Sequence, residues 1–264
     1  MIPARHRILV PNDAEIPPPR GCALAIMTKA PRAGQVKTRL TPPLTPEEAA
    51  ALNICFLRDT AAAISAAGGN AQGVACYTPI GAGEAYADIL PANFELIAQK
   101  EGTLGERLYR AVEDLFAVGF TSVCLINSDS PTVPASSFAE AVRWLSQPND
   151  RVVLGPSDDG GYYLIGLKRP KRRLFERIDW STERVFQQTI ERAKELKLEV
   201  KLLPGGFDVD DHRSLRRLCE ELLGSHDPGE NSTARSTEEF LRAFVAQEGS
   251  TRLWPVEETP PDAT

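Results

Sequence analysis

The chain has 264 residues, 42% of them hydrophobic and 25% charged, with a formal net charge of −6 at pH 7. This length suits one large domain with enough core to fold alone, and the acidic balance argues against a general nucleic-acid binder, which presents a basic surface. No run approaches the roughly 20 apolar residues of a membrane span, and the opening residues, with Arg5, His6 and Arg7 ahead of Pro17, Pro18 and Pro19, lack the apolar core of a secretory signal, so a cytoplasmic location is expected.

Residues 1–20 read as a flexible lead-in to a domain over 21–224. Cys22–Thr28 is a short apolar run of central-strand character. Thr45, Pro46 and Glu48 make a helix start: a cap, a proline at the first helical position and a capping-box acid. That helix runs to about Ala67 and stops at Gly68-Gly69-Asn70. Strands are predicted at Gly73–Tyr77, Phe94–Ala98, Thr121–Ile126, Arg151–Leu154, Tyr162–Ile165 and Glu199–Leu203. Helices are predicted at Leu104–Val118, Pro134–Leu145, Ser181–Leu196 (capped by Ser181) and Asp211–Leu223. Strands alternating with helices specify an α/β fold, a mostly parallel sheet covered on both faces. A tail over 225–264 turns rich in Ser, Asp, Gly, Glu and Pro, with one helix at Thr237–Gln247 and a disordered end at Pro255–Thr264.

The five cysteines form no CxxC pair and three lie in strand-like runs, so buried free thiols are expected. The three histidines are scattered and show no zinc spacing.

Five segments carry candidate chemistry. The first strand empties into Lys29–Leu40, which places Lys29, Arg32, Lys37 and Arg39 around a single Gly34. Arg offers paired hydrogen bonds to phosphate and Lys a compact charge, although a solvated basic loop reads the same way. Gln99–Arg107 brackets a helix start with Gly102 and Gly105, a place for an anion or a base edge, or a plain strand-to-helix turn. Asn127-Ser128-Asp129-Ser130-Pro131 ends a buried strand on a carboxylate, at the sheet edge where open α/β folds bind ligands. Asp129 there is suited to a divalent cation serving a phosphate, or simply opens a turn. Gly155–Gly166 joins two strands through Asp158, Asp159, Gly160 and Gly161 and runs into Tyr162. A hairpin explains Asp-Gly, and close contact with a polar ligand makes Asp159 a candidate base. Asp208, Asp210 and Asp211 repel one another unless a cation or a helix start offsets them; a cation shared with Asp129 accounts for both acidic clusters.

Together these segments resemble one family. Lys29–Leu40 looks like its K-x-P-x-x-G-x-V-K-T-R-L loop, Gln99–Arg107 like its Q-x-x-G-x-L-G-x-R segment, and Ser128–Pro131 like its S-D-S-P. Gly155–Leu167 resembles its G-P-x-x-D-G-G-Y-Y-L-I-G-L, and Asp208-Val209-Asp210 its closing D-V-D. The family is the bacterial glycosyltransferase-A-like group of radical-SAM/selenodomain-associated transferase 1 type, within the nucleotide-diphospho-sugar transferase superfamily. The resemblance spans about residues 22–223. Where the family continues D-V-D-T-P-x-D-L, this chain has Asp211-His212-Arg213-Ser214-Leu215, with Ser214 at the last acidic position and His212 as an added candidate ligand.

The resemblance implies a Rossmann-like three-layer α/β/α sandwich and a metal-dependent transferase using a nucleotide-activated sugar. It implies nucleotide or phosphate binding by Ala30, Arg32, Gly34, Lys37 and Arg39, to which the helix start adds Gln99 and Gly105, and a divalent metal, Mg2+ or Mn2+, on Asp129 with Asp208 or Asp210. Asp159, with Asp129, is the catalytic candidate, and Gly160, Gly161 and Tyr162 are the acceptor-binding candidates. The expected partners are a nucleotide-sugar donor and an acceptor. Two other functions fit the same residues: a nucleotidyltransferase releasing pyrophosphate from an NTP, and a non-catalytic nucleotide-sugar binding protein.

Overall fold

The computed structural model describes residues 6–11, 17–224 and 233–253. Its strands are β1 (Arg7–Leu9), β2 (Arg20–Lys29), β3 (Ala71–Thr78), β4 (Glu95–Ala98), β5 (Phe120–Ile126), β6 (Arg151–Pro156), β7 (Tyr162–Leu167) and β8 (Glu199–Leu202). They form one sheet in the order β1-β4-β3-β2-β5-β7-β6-β8. Every pairing is parallel except those of β7, which runs antiparallel to both β5 and β6. The predicted α/β fold, a mostly parallel sheet in three layers, is therefore what the chain adopts.

The sheet is sandwiched because its central strands are apolar on both sides. Cys22, Leu24 and Ile26 of β2 face one layer, with α1 (Pro46–Ala66) and α3 (Ala135–Ser146). Ala23 and Ala25 face the other, with α2 (Leu104–Ala117) and α4 (Val185–Glu195). Helix starts follow their sequence signals. Thr45 accepts from the Glu48 amide at 3.2 Å while Glu48 accepts from the Thr45 amide at 2.8 Å, and Thr103 and Glu106 repeat the box at α2. All five cysteines are buried free thiols.

Three expectations change. Within the predicted flexible lead-in, Arg7–Leu9 adds an edge strand in parallel register with β4. Ser181 does not cap a helix: it has φ +64°, and α4 begins only at Val185, without a side-chain cap. The intervening turn covers Gly160, where a Cβ would lie 2.2 Å from the Glu183 carbonyl oxygen. The helix predicted in the tail is α6 (Arg235–Glu248), and it is docked. Its Leu241 and Phe244 join Leu52 and Phe56 of α1 and Leu218 and Leu222 of α5 (His212–Leu223) in a third apolar cluster. The predicted disordered end, Pro255–Thr264, lies outside the described residues.

The cap of α6 comes from another helix. Asp59 of α1 accepts from the amides of Ser236 and Thr237, both at 2.8 Å, and from the Thr237 hydroxyl at 2.6 Å. Burial raises the Asp59 carboxyl above its ordinary range even so, yet its loss would strand three donors, two of them on buried Thr237. Asp59→Ala is expected to cost about 2–4 kcal/mol in urea unfolding. A loss of less than about 0.5 kcal/mol, typical of a surface substitution, would contradict this anchoring role.

Candidate functional site

The sheet's carboxyl edge gathers the sequence-distant acids. β5 ends at Ile126 and delivers Asn127–Ser130, and the segment after β8 returns alongside it: the Val209 amide donates to the Asp129 carbonyl at 2.9 Å. The hairpin loop between β6 and β7 closes the third side, and Ser157 donates to Asp208 at 3.1 Å. A cleft of about 870 Å³ opens there, lined by Asp129, Asp158, Asp159, Asp208 and Asp210 with Arg39, Arg213 and Arg217. A side chamber of about 240 Å³ shares Arg39, Ser128, Asp129 and Asp210 and is floored by buried Asn53, whose Oδ1 has no hydrogen-bond partner among the described residues.

Lys37 is the knot between these segments. Its side chain is only 5% exposed, and Nζ lies 2.5 Å from Asp129 Oδ1 and 3.2 Å from Asp210 Oδ1. It also donates to the Val209 carbonyl at 2.8 Å. Burial pulls the ammonium's pKa down, but the two carboxylates outweigh it and hold the group above its ordinary value. Lys37 has φ +48°, a left-handed conformation that this network stabilises. Its three donors are therefore taken by protein, which corrects the expectation that Lys37 waits for a phosphate.

Asp208 is held differently. Its Oδ1 accepts from Asn127 Nδ2 at 2.7 Å, from Ser130 Oγ at 2.5 Å and from Ser157 Oγ. Burial, with the charges of Asp159 and Asp129 behind it, pushes its pKa up to about 6, more than the Ser130 and Asn127 donors can offset. Oδ2 has no partner among the described residues, so one oxygen is fixed and the other is left for a ligand. Asn127, Ser130 and Ser157 were not singled out from the sequence, although two of them flank Asp129 in the same short motif.

The remaining candidates divide. Arg39, Asp129, Asp159, Gly161, Tyr162, Asp208 and Asp210 line the cleft. Arg32 and Gly34 sit on an exposed turn outside it, with Gly34 at φ +72°, and Ala30 is buried, its amide on the Thr78 carbonyl. Gln99 is buried and committed: Nε2 donates to the Thr28 and Cys76 carbonyls, and Oε1 accepts from Arg107. It cannot also read a nucleotide edge. Gly105 serves packing, since a Cβ there would lie 2.5 Å from Trp180 Nε1. Gly160 likewise packs against Glu183 rather than facing the cleft. His212 is exposed and lines neither cavity. Asp211 caps α5, and Ser214 completes a reciprocal capping box at the position where the resembled family carries an acid.

The donor chemistry suits a hard divalent cation, because the available oxygens are carboxylates. Among the described residues no three acidic, histidine or cysteine side chains form a ready metal cage. Lys37 already neutralises part of the charge on Asp129 and Asp210, which leaves Asp208 and the second oxygen of Asp129 as the better-placed pair.

Two measurements check this electrostatic account. Lys37→Met is expected to cost about 1–3 kcal/mol in urea, below the roughly 3–5 kcal/mol of a fully buried pair. The discount follows because the Asp129 and Asp210 side chains are 33% and 46% exposed. An unchanged midpoint would count against the knot. Asp208 binds its proton more tightly folded than unfolded, so its contribution falls as pH rises from about 4 to about 6. Asp208→Asn should flatten that slope in melting curves taken in chelator between about pH 4.5 and 7.5, and equal slopes would refute the assignment.

Comparison with known proteins bears on the fold. Residues 61–182 match the model of a family described as an uncharacterized protein conserved in bacteria, DUF2064. A candidate nucleotide-diphospho-sugar transferase from Desulfovibrio desulfuricans G20 is 29% identical, with a TM-score of 0.74 over 87% of this chain and 98% of that one. CMP:2-keto-3-deoxy-manno-octonic acid synthetase in complex with CTP shares the fold at 10% identity and a TM-score of 0.51, over 78% and 99%. A nucleotidyl transferase from Methanothermobacter thermautotroptrophicus does so at 12% and 0.50, over 78% and 98%. No curated protein sequence matches. The resemblance drawn from the motifs therefore holds: the middle of the chain matches this bacterial family, and its fold is that of the nucleotide-diphospho-sugar transferases and nucleotidyltransferases.

Proposed function

We propose that the protein is a metal-dependent transferase that moves a sugar from a nucleoside diphosphate to an acceptor hydroxyl. The observation that carries this reading is the meeting of Asp129 and Asp208 with Asp159 and Arg39 around one cleft at the carboxyl edge of the sheet. A diphosphate is already anionic and gains charge as its bond to the sugar breaks, so the site must supply positive charge where that charge develops. Arg39, on the loop after β2, and Arg213, on α5, line the cleft and offer it, while Arg217, one turn further along α5, is paired with Asp158. Asp129 and Asp208 would hold Mg2+ or Mn2+, which when bound acts as a Lewis acid on the diphosphate oxygens.

Asp159 is the group best suited to accept the acceptor's proton. It is exposed to the cleft, and its Oδ1 is oriented by the Gly161 amide at 2.9 Å. Asp208, with one oxygen pinned by three donors, is a fixed ligand and not a mobile base. The relative from Desulfovibrio desulfuricans, named a candidate nucleotide-diphospho-sugar transferase, supports a transferase of this class.

A panel of UDP-, GDP-, ADP- and CDP-sugars with Mn2+, with and without chelator, tests the reading by thermal shift. A ligand at about 100 times its Kd adds about 2.7 kcal/mol to native stability, a readily measured rise in Tm. At least one nucleotide sugar should raise Tm in a chelator-sensitive way, and Asp129→Ala should abolish the rise from a lowered apo Tm, because it strips buried Lys37 of its nearest carboxylate. Pyrophosphate release from an NTP, with no response to any nucleotide sugar, would move the assignment to nucleotidyl transfer.

A further inference from the structure

The lining of the cleft is of two kinds. One carries the carboxylates and arginines described above. The other is apolar, built from Met27 of β2, Leu104 and Leu108 of α2, Trp180 and Val185. Leu104 is 41% exposed, one of few large apolar side chains in the fold left so open, and it sits in the first turn of α2. Trp180 is fixed by contact with Gly105, where any side chain would displace the indole. The next residue, Ser181, holds φ +64°, a strained conformation of the kind that persists where surrounding structure imposes it.

The turn that carries Trp180 packs on the Asp159 hairpin, where Gly160 meets Glu183. Beyond the loop that follows β2, the ends of β3 and β4 open a separate depression of about 470 Å³ lined by Thr78, Pro79, Ile80, Gln99, Lys100 and Arg107. A nucleoside carried past the basic loop has that depression, of mixed polarity, to occupy, which leaves the wall of the cleft to the second substrate.

We infer that the acceptor is a hydroxyl borne on an apolar, ring-sized body, with Leu104 and Trp180 as its specificity-determining contacts. This rests on the transferase reading above. The apolar body packs on the wall and displaces water, and the hydroxyl is presented to Asp159. Its oxygen bonds to the anomeric carbon as the bond from that carbon to the diphosphate oxygen breaks. The proton passes to Asp159, and the nucleoside diphosphate leaves with the electron pair. Displacement of water by the apolar body also guards the activated sugar against hydrolysis.

The test uses 2-naphthol as the apolar hydroxyl probe and glycerol as its polar counterpart, on the full chain. Naphthol should raise Tm and quench a fluorescence component that is missing from Trp180→Phe, while glycerol at the same concentration does neither. Leu104→Asp, at an exposed position, should keep the apo Tm and weaken naphthol binding about tenfold. Absence of naphthol binding, equal response to glycerol, or undiminished naphthol binding in Leu104→Asp would each overturn the inference. Nucleotide-sugar shifts of the wild type are measured in parallel: if they fail while naphthol binds as expected, the donor reading falls and the apolar subsite stands.

Discussion

A single buried ammonium organises the active edge of this fold. Lys37 ties the loop after β2 to the end of β5 through Asp129 and to the segment before α5 through Asp210 and the Val209 carbonyl. Three chain segments separated by more than eighty residues each would otherwise bring like charges together. In a partly buried site that repulsion is large, because the effective dielectric is well below that of water. The lysine converts the repulsion into attraction, and in doing so sets where Asp129 and Asp210 point.

The same economy of charge distinguishes the acids. Asp129 and Asp210 share a cation supplied by the chain, whereas Asp208 is held by neutral donors and keeps its pKa near 6. Asp159 is exposed, fixed only by the turn of its own hairpin. These four carboxylates thus meet three environments, and environment, not residue type, sets them apart.

The reversed strand makes this possible. β7 runs antiparallel between β5 and β6, so the β6–β7 hairpin turns back at the carboxyl edge and sets Asp159 beside Asp129 and Asp208. Gly160 then lets the 180–184 turn close over the hairpin, which brings Trp180 into the lining of the same cleft. α6 stabilises the arrangement from behind by filling the second apolar face of α1, the helix that contributes Asn53 and Phe56 next to Lys37.

Much of this was legible in the order of residues. Apolar runs ending in Lys29, Gln99 and Asn127, the Thr45 and Thr103 starts of α1 and α2, and the acids at 129, 159, 208 and 210 are local signals, because strand period, capping and turn chemistry act over a few residues. What each candidate does was not legible. Lys37 and Arg39 look alike in sequence, yet one is consumed by carboxylates from 92 and 173 residues away and the other faces the cleft. Gln99 and Gly105 sit in a motif that resembles a binding loop but spend their hydrogen bonds and their space on Arg107 and Trp180. Short-range pattern alone determined the strands, helices and chemical inventory; the tertiary structure decided which charges are neutralised internally and which remain for a ligand, since pairing energy depends on distances that only the closed fold creates.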